Sequence, residues 1–243
     1  MGGSGEDRER LLVPERLVSV AGALEERGLR WAALGARHLA GAVDKVDLLV
    51  HPYDAPRARV TLAARGFKPA GGGGAHVRYL ASPMELALHS GLAPVGWSEL
   101  PISPFLDGSE VNEDDGIRRM GKAAAWAAQR LLNARDLWHP ATVSAVALAW
   151  QEALARGLDD ADRELWAEAA KRWGIAGIWR RCDELETWLG GGPRPDWLQA
   201  GFGEASAVAG APPGWPPLTL TLALQDDFSR RAACLARRIL RRS

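Results

Sequence analysis

The sequence predicts an α+β protein: a small mixed β-sheet with helices in the first part, followed by a mainly α-helical part. Three observations predict it. Helical and strand-like apolar patterns alternate from residue 8 to residue 89. Gly91 to Asp115 holds several prolines and glycines and ends in the acids Glu110, Glu113, Asp114 and Asp115. From Gly116 onward alanine, leucine, tryptophan and arginine dominate. We therefore expect two domains, residues 1–110 bearing the sheet and residues 111–243 helical, with Gly91–Asp115 as a long connecting loop.

Leu11, Leu12, Leu17, Val18, Ala21 and Leu24 place an apolar stripe on a helix from Arg8 to Arg27, stopped by Gly28. Trp31–Leu34 is a short apolar strand ending at Gly35, and Val46–Val50 is another ending at His51-Pro52. Between them Arg37–Ala42 reads as one small turn of helix. Pro52 and Asp54 open a second helix, which runs to Arg65 and closes at Gly66. Lys68–Gly74 contains four consecutive glycines. A phosphate cradle needs such a run to lead into a helix N-terminus, but this one leads into Ala75–Leu80, which alternates like a strand. A hairpin loop is the expectation. Met84–His89 is the next strand, with Met84, Leu86 and Leu88 facing one way and Glu85, Ala87 and His89 the other.

Ile117–Leu137, Ala141–Arg156, Asp160–Arg172 and Ile175–Leu189 are expected to be helices. The tryptophans at 126, 138, 150, 166, 173, 179 and 188 recur through them and read as bundle core. Gly190–Pro217 is an extended Pro/Gly-rich linker, and Leu218–Leu224 alternates like a late strand. Asp226–Arg242 is a final helix with acids at its start and six arginines beyond. Its apolar stripe, Phe228, Ala232, Leu235, Ile239 and Leu240, favours docking on the protein over binding RNA or anionic lipid.

Composition narrows the function classes. With 47% hydrophobic residues and a formal net charge of zero, the chain has material for a core and is no general polyanion binder. Two distant cysteines, Cys182 and Cys234, suit neither a disulfide framework nor a zinc site and fit a reducing cytoplasm. No apolar run approaches the roughly 18–20 residues of a membrane span, and the N-terminus is unlike a signal peptide. Only four of the 30 basic residues are lysine, as in GC-rich bacterial genomes. Walker, dinucleotide and Ser/His/Asp nucleophile signatures are missing.

The chemistry-bearing stretch is Leu34-Gly35-Ala36-Arg37, followed by Asp44-Lys45-Val46-Asp47-Leu48-Leu49-Val50, with Glu85 in the later acid-then-apolar strand. This layout resembles the polymerase-β-type nucleotidyltransferase core, and within it a bacterial subgroup with a Leu-Lys-Gly turn before Asp-x-Asp-Leu-Leu-Val. The resemblance covers roughly Ala32 to His89. It implies a nucleotidyltransferase-like domain that transfers a nucleotidyl group from a nucleoside triphosphate to an acceptor hydroxyl on a peptide, an RNA or a small molecule. It also implies Mg2+ held by hard oxygen ligands, with Asp47 as the second carboxylate and Glu85 as the third. Gly35, Ala36, Arg37 and Lys45 would contact the nucleotide.

The first carboxylate of the pattern falls at position 45, where this chain has Lys45. Asp44 would join the ligand set only through a bulge between it and Asp47. Two further readings therefore stand beside transfer. One is a catalytically degenerate member that binds a nucleotide, peptide or protein partner; the other is an adaptor acting through the arginine-rich last helix. Glu85 is expected to be solvated or to pair with Arg37 if it holds no metal. His38, His51 and His76 read as structural or surface residues, and His89, on the face of Glu85, as site-adjacent.

Overall fold

A computed structural model describes residues 15–38, 44–73, 76–82, 84–92, 100–136, 153–189, 191–193 and 195. The late strand at Leu218–Leu224, the basic last helix and most of the expected helix at Ala141–Arg156 lie outside the described residues. The elements are α1 (Glu15–Glu26), β1 (Trp31–His38), β2 (Asp44–Val50), α2 (Ala55–Ala64), β3 (Lys68–Gly73), β4 (His76–Ala81) and β5 (Met84–His89). They are followed by α3 (Ser103–Leu106), β6 (Glu110–Val111), β7 (Arg118–Arg119), α4 (Lys122–Asp136), α5 (Asp160–Arg172) and α6 (Ala176–Leu189). The expected α+β class is what the protein shows. No helix among the described residues is long and apolar enough to cross a membrane.

The seven strands among the described residues form one mixed sheet in the order β3-β4-β5-β2-β1-β7-β6. β2 is central, antiparallel to β1 and parallel to β5. Alternation along it divides the core in two. Val46, Leu48 and Val50 join Leu17, Val20 and Leu24 of α1, Ala58 and Leu62 of α2, and Met84, Leu86 and Leu88 of β5. Leu49 faces the other way, joining Ala32 and Leu34 with Phe105, Trp126, Leu131, Trp166, Ile178 and Trp179. The sheet thus has helices on both faces. Leu49, invisible as a separate signal inside an apolar triplet, anchors the second layer.

Helix ends follow the sequence. Gly28 adopts φ +62, and Leu29 N–H donates to Leu24 O at 3.1 Å, closing α1 in the left-handed manner glycine favours. Gly66, at φ +83, does the same for α2, with Phe67 N–H donating to Leu62 O at 3.1 Å. The Asp159 side chain caps α5 by accepting from Asp162 N–H at 2.8 Å. Trp126, Trp166 and Trp179 are core, as expected, with Trp173 and Trp188 packed against it, while Trp138 and Trp150 lie outside the described residues; Trp126 meets Trp179 edge-on at 5.6 Å and Phe105 meets Trp166 at 4.7 Å. Buried Arg130 lies over both Trp126 and Trp179, at 4.6 and 4.4 Å, and pairs with Asp183 and Glu186. Burial beside them pushes the Cys182 thiol up to about 12.

Three local expectations are corrected. Arg37 and His38 continue β1 instead of opening a helical turn, because each has a ladder partner on β2, Lys45 and Asp44 respectively. Residues 39–43 lie outside the described residues. Two segments read as loop and helix start, within Gly91–Met120, supply α3, β6 and β7. Their hairpin is built by short polar side chains: Asp114 N–H donates to Asn112 Oδ1 at 2.9 Å, and Ile117 N–H to Asp115 Oδ1 at 3.0 Å. Finally, three of the four glycines, Gly71–Gly73, are themselves part of β3, paired with β4.

Leu62 is fully buried between α2 and the sheet, whereas Val60 on the same helix is 61% exposed. Leu62→Ala should cost about 2–5 kcal/mol in urea unfolding, and Val60→Ala should stay within about 0.5 kcal/mol. Equal costs would show that α2 does not dock by this face.

Candidate functional site

The site lies on the β2–β5–β4 face that carries Asp47. Parallel pairing sets Lys45 opposite Glu85, Asp47 opposite Ala87 and Leu49 opposite His89. Antiparallel pairing sets His76 opposite His89, Arg78 opposite Ala87 and Leu80 opposite Glu85. Directly paired residues share a face, so Asp47, Glu85, His89, His76 and Arg78 stand together. Asp47 and Glu85 are on one face of one sheet.

Each carboxylate holds its own protein partner. Asp47, only 4% exposed, places Oδ1 2.8 Å from His89 Nε2, and His89 is itself fully buried. His89 Nδ1 in turn lies 3.0 Å from His76 Nδ1, the two rings stacked obliquely at 4.5 Å. Glu85 takes a two-pronged ion pair from Arg78, with Nε at 2.9 Å and Nη2 at 3.0 Å. Asp47 therefore leans diagonally toward the C-terminal end of β5, and Glu85 sits at the opposite end.

The other sequence candidates occupy β1 and the start of β2. Gly35 pairs with Asp47, Ala36 with Val46 and Arg37 with Lys45. The ladder shifts register between Ala33 and Gly35, so the irregularity falls on β1, beside Asp47, with Leu34 as the extra residue. From Asp44 to Val50 the pairing of β2 runs without a shift. The bulge that would bring Asp44 into step with Asp47 is not there.

His89 lies on the face of Glu85 and contacts Asp47. Sequence reasoning missed His76 and Arg78. The signal was present: both share the phase of a strand that must pair antiparallel with Met84–His89 across a short turn. Arg78 is a partner of Glu85.

A cleft of about 360 Å³ lies elsewhere, at the N-terminal end of β1, lined by Glu25, Arg30, Trp31, Leu106, Ser109 and Arg118 among others. Arg118 closes part of it, binding Glu25 through Nε at 2.8 Å and Nη2 at 2.9 Å and donating to Ser109 O at 3.0 Å. Hydrogen bonding to Arg118, then its charge and the Trp31 indole, hold the Glu25 carboxyl below its ordinary value against the opposing effect of burial.

Two measurements check these contacts. In a double-mutant cycle, Asp47→Ala and His89→Ala should couple by about 0.5–3 kcal/mol; simple additivity would mean the buried contact is not made. For Glu25 the folded value is depressed, so its contribution is present above the unfolded value and fades as pH falls through the folded one. The stability advantage of the wild type over Glu25→Gln should thus shrink below the ordinary glutamate value near 4.5. An advantage constant from pH 7 to pH 3 would refute the pairing.

No protein-family model matches the sequence, and no curated protein matches it. Among solved structures, that of the antibiotic-resistance factor ANT(2'')-Ia, described as revealing substrate-regulated conformation dynamics, is similar over 68% of this chain and 94% of its own, at 15% identity and a TM-score of 0.45. A likeness that slight bears on neither the activity nor the substrates of this chain.

Proposed function

We propose that the chain is a nucleotidyltransferase-like protein in which residues 1–110 bind a nucleotide and residues 111–243 engage the partner molecule, without metal-dependent transfer. One observation carries this reading: both carboxylates that the resemblance assigns to Mg2+ are held by protein side chains, Asp47 by His89 and Glu85 by Arg78. The donor set does not fit a hard dication. Mg2+ demands near-octahedral oxygen ligation. Here one oxygen ligand is committed to an imidazole, one to a guanidinium, and the first position of the motif is Lys45. Among the described residues no group of three or more His, Cys, Asp and Glu is arranged to hold a metal.

In this reading Gly35, Ala36, Arg37 and Lys45 form the nucleotide-facing edge, and the partner is a peptide, an RNA or a protein. The setting is cytoplasmic. The transfer reading keeps one observation in its favour, the placement of Asp47 and Glu85 on one face of adjacent strands. There Asp47 and Glu85 would ligate Mg2+.

A thermal-shift screen of the four nucleoside triphosphates, with and without Mg2+, separates the two. Binding raises the melting temperature with ligand concentration. The proposal expects a shift from at least one triphosphate, unchanged by Mg2+, with no pyrophosphate released. Mg2+-dependent pyrophosphate release that Asp47→Asn abolishes would establish transfer instead, and the absence of any shift would remove the nucleotide.

A further inference from the structure

We propose that the cleft at the N-terminal end of β1 is a binding site for a small hydroxycarboxylate, separate from the face that carries Asp47 and Glu85. The inference goes beyond the nucleotide reading and does not depend on it. Arg30 precedes β1 and Trp31 opens it, whereas Gly35, Ala36 and Arg37 lie toward its other end.

Size and lining both suit a ligand. At about 360 Å³ the cleft falls within the range of small-molecule sites, roughly 300–1,000 Å³. One wall is bare backbone, because Gly28 turns the chain at φ +62 and a Cβ there would meet nothing within 4 Å. Trp31 and Leu106 supply apolar surface. Polar groups converge on it from separate parts of the chain: Glu25 from α1, Arg30 from the turn before β1, Ser109 from the link between α3 and β6, and Arg118 from β7.

The charges select an anion. Two guanidiniums face one carboxylate in the cleft, and Arg118 already neutralises that carboxylate through Nε and Nη2. Arg30 is the positive charge left over. Its own ion pair is a single contact to Asp107 at 3.3 Å, between side chains 48% and 69% exposed. A surface pair of that kind holds weakly. Among the described residues Nε and Nη1 of Arg30 make no hydrogen bond, so its planar fork can take a carboxylate in a two-pronged contact. The buried Trp31 Nε1–H polarises Glu25 from a distance, yet no acceptor among the described residues meets it at hydrogen-bonding geometry. A buried donor left in that state favours a site completed by a ligand oxygen.

Hydroxyl groups answer the rest. Glu25 only accepts, and it keeps lone pairs beyond those that Arg118 takes; Ser109 Oγ both donates and accepts. One surplus positive charge matches a monoanion, whereas a phosphate ester carries roughly −1.5 to −2 at pH 7. A hydroxycarboxylate meets each requirement, with its carboxylate on Arg30, hydroxyls on Glu25 and Ser109, and carbon chain against Leu106 and Trp31.

The test is titration of the full chain at fixed ionic strength with lactate, glycerate and gluconate, followed by thermal shift and calorimetry. Acetate supplies the carboxylate alone, glucose the hydroxyls alone, and inorganic phosphate the other common anion. At least one hydroxycarboxylate should bind about tenfold or more tightly than acetate, and more tightly than glucose or phosphate. Arg30→Ala should weaken it about tenfold or more. Asp107→Asn should tighten it about two- to fivefold by releasing the Arg30 fork, a gain that a purely structural role would not produce. Melts of each variant show whether it folds, and Asp107→Asn decides alone if Arg30→Ala does not. A series no tighter than acetate, phosphate binding above every hydroxycarboxylate, or unchanged affinity in either folded variant would overturn the proposal. Triphosphate shifts should be the same in Arg30→Ala as in the wild type, so this site and the nucleotide reading can fail separately.

Discussion

Because β2 is paired on both edges, its side-chain parity is fixed, and the candidate site and both cores depend on that parity. A slip of one residue would send Asp47 into the layer now filled by Val46, Leu48 and Val50, and would expose those three to the polar face. Burying an unpaired carboxylate costs far more than any single apolar contact returns. The register is held from both sides: seven pairs to β1 and five to β5, with the single irregularity placed on β1 at Leu34. That extra residue has its own use, since Leu34 packs beside Ala32 and Leu49 in the helical core.

Ion pairs then connect parts of the chain far apart in sequence. Arg118 on β7 grips Glu25 on α1, 93 residues away, and thereby ties the short β6–β7 ribbon to the layer below the sheet. Arg130 works differently. Its guanidinium is buried between two indoles and neutralised by Asp183 and Glu186, so α4 and α6 are joined by a charged contact inside an aromatic shell. Such a buried charge is costly when a partner is lost. The tryptophans around it serve packing, which is why their spacing along the sequence followed helical periodicity and no binding motif.

Much of this was legible in the sequence. Strand and helix positions with strong periodicity held: Met84–His89 is β5, Asp160–Arg172 is α5, and the last described helix begins one residue from its expected start. Glycines at 28 and 66 ended helices where expected. What the sequence hid was pairing. Arg37-His38 has no local preference for a strand and becomes one through its partners on β2. Glu110–Val111 and Arg118–Arg119 are two-residue strands, too short for any period to register. The partner of Asp47 was hidden for the same reason: a hydrogen bond between residues 42 positions apart follows from register, and register is a property of the assembled sheet.

Along β2 the polar face changes character in two-residue steps. Leu49 lies in the apolar layer under α4, Asp47 comes next, and Lys45 follows at the start of the strand. Asp47 thus marks the place where the helical core ends and the polar face begins. Its burial follows from that position, and so does the strength of its hold on His89, because a carboxylate beside a packed apolar layer acts through little water. His89 is held between the same layer and the β4 strand, and His76 lies one strand further out. Asp47 and His89 are both buried, and only His76 is half-buried.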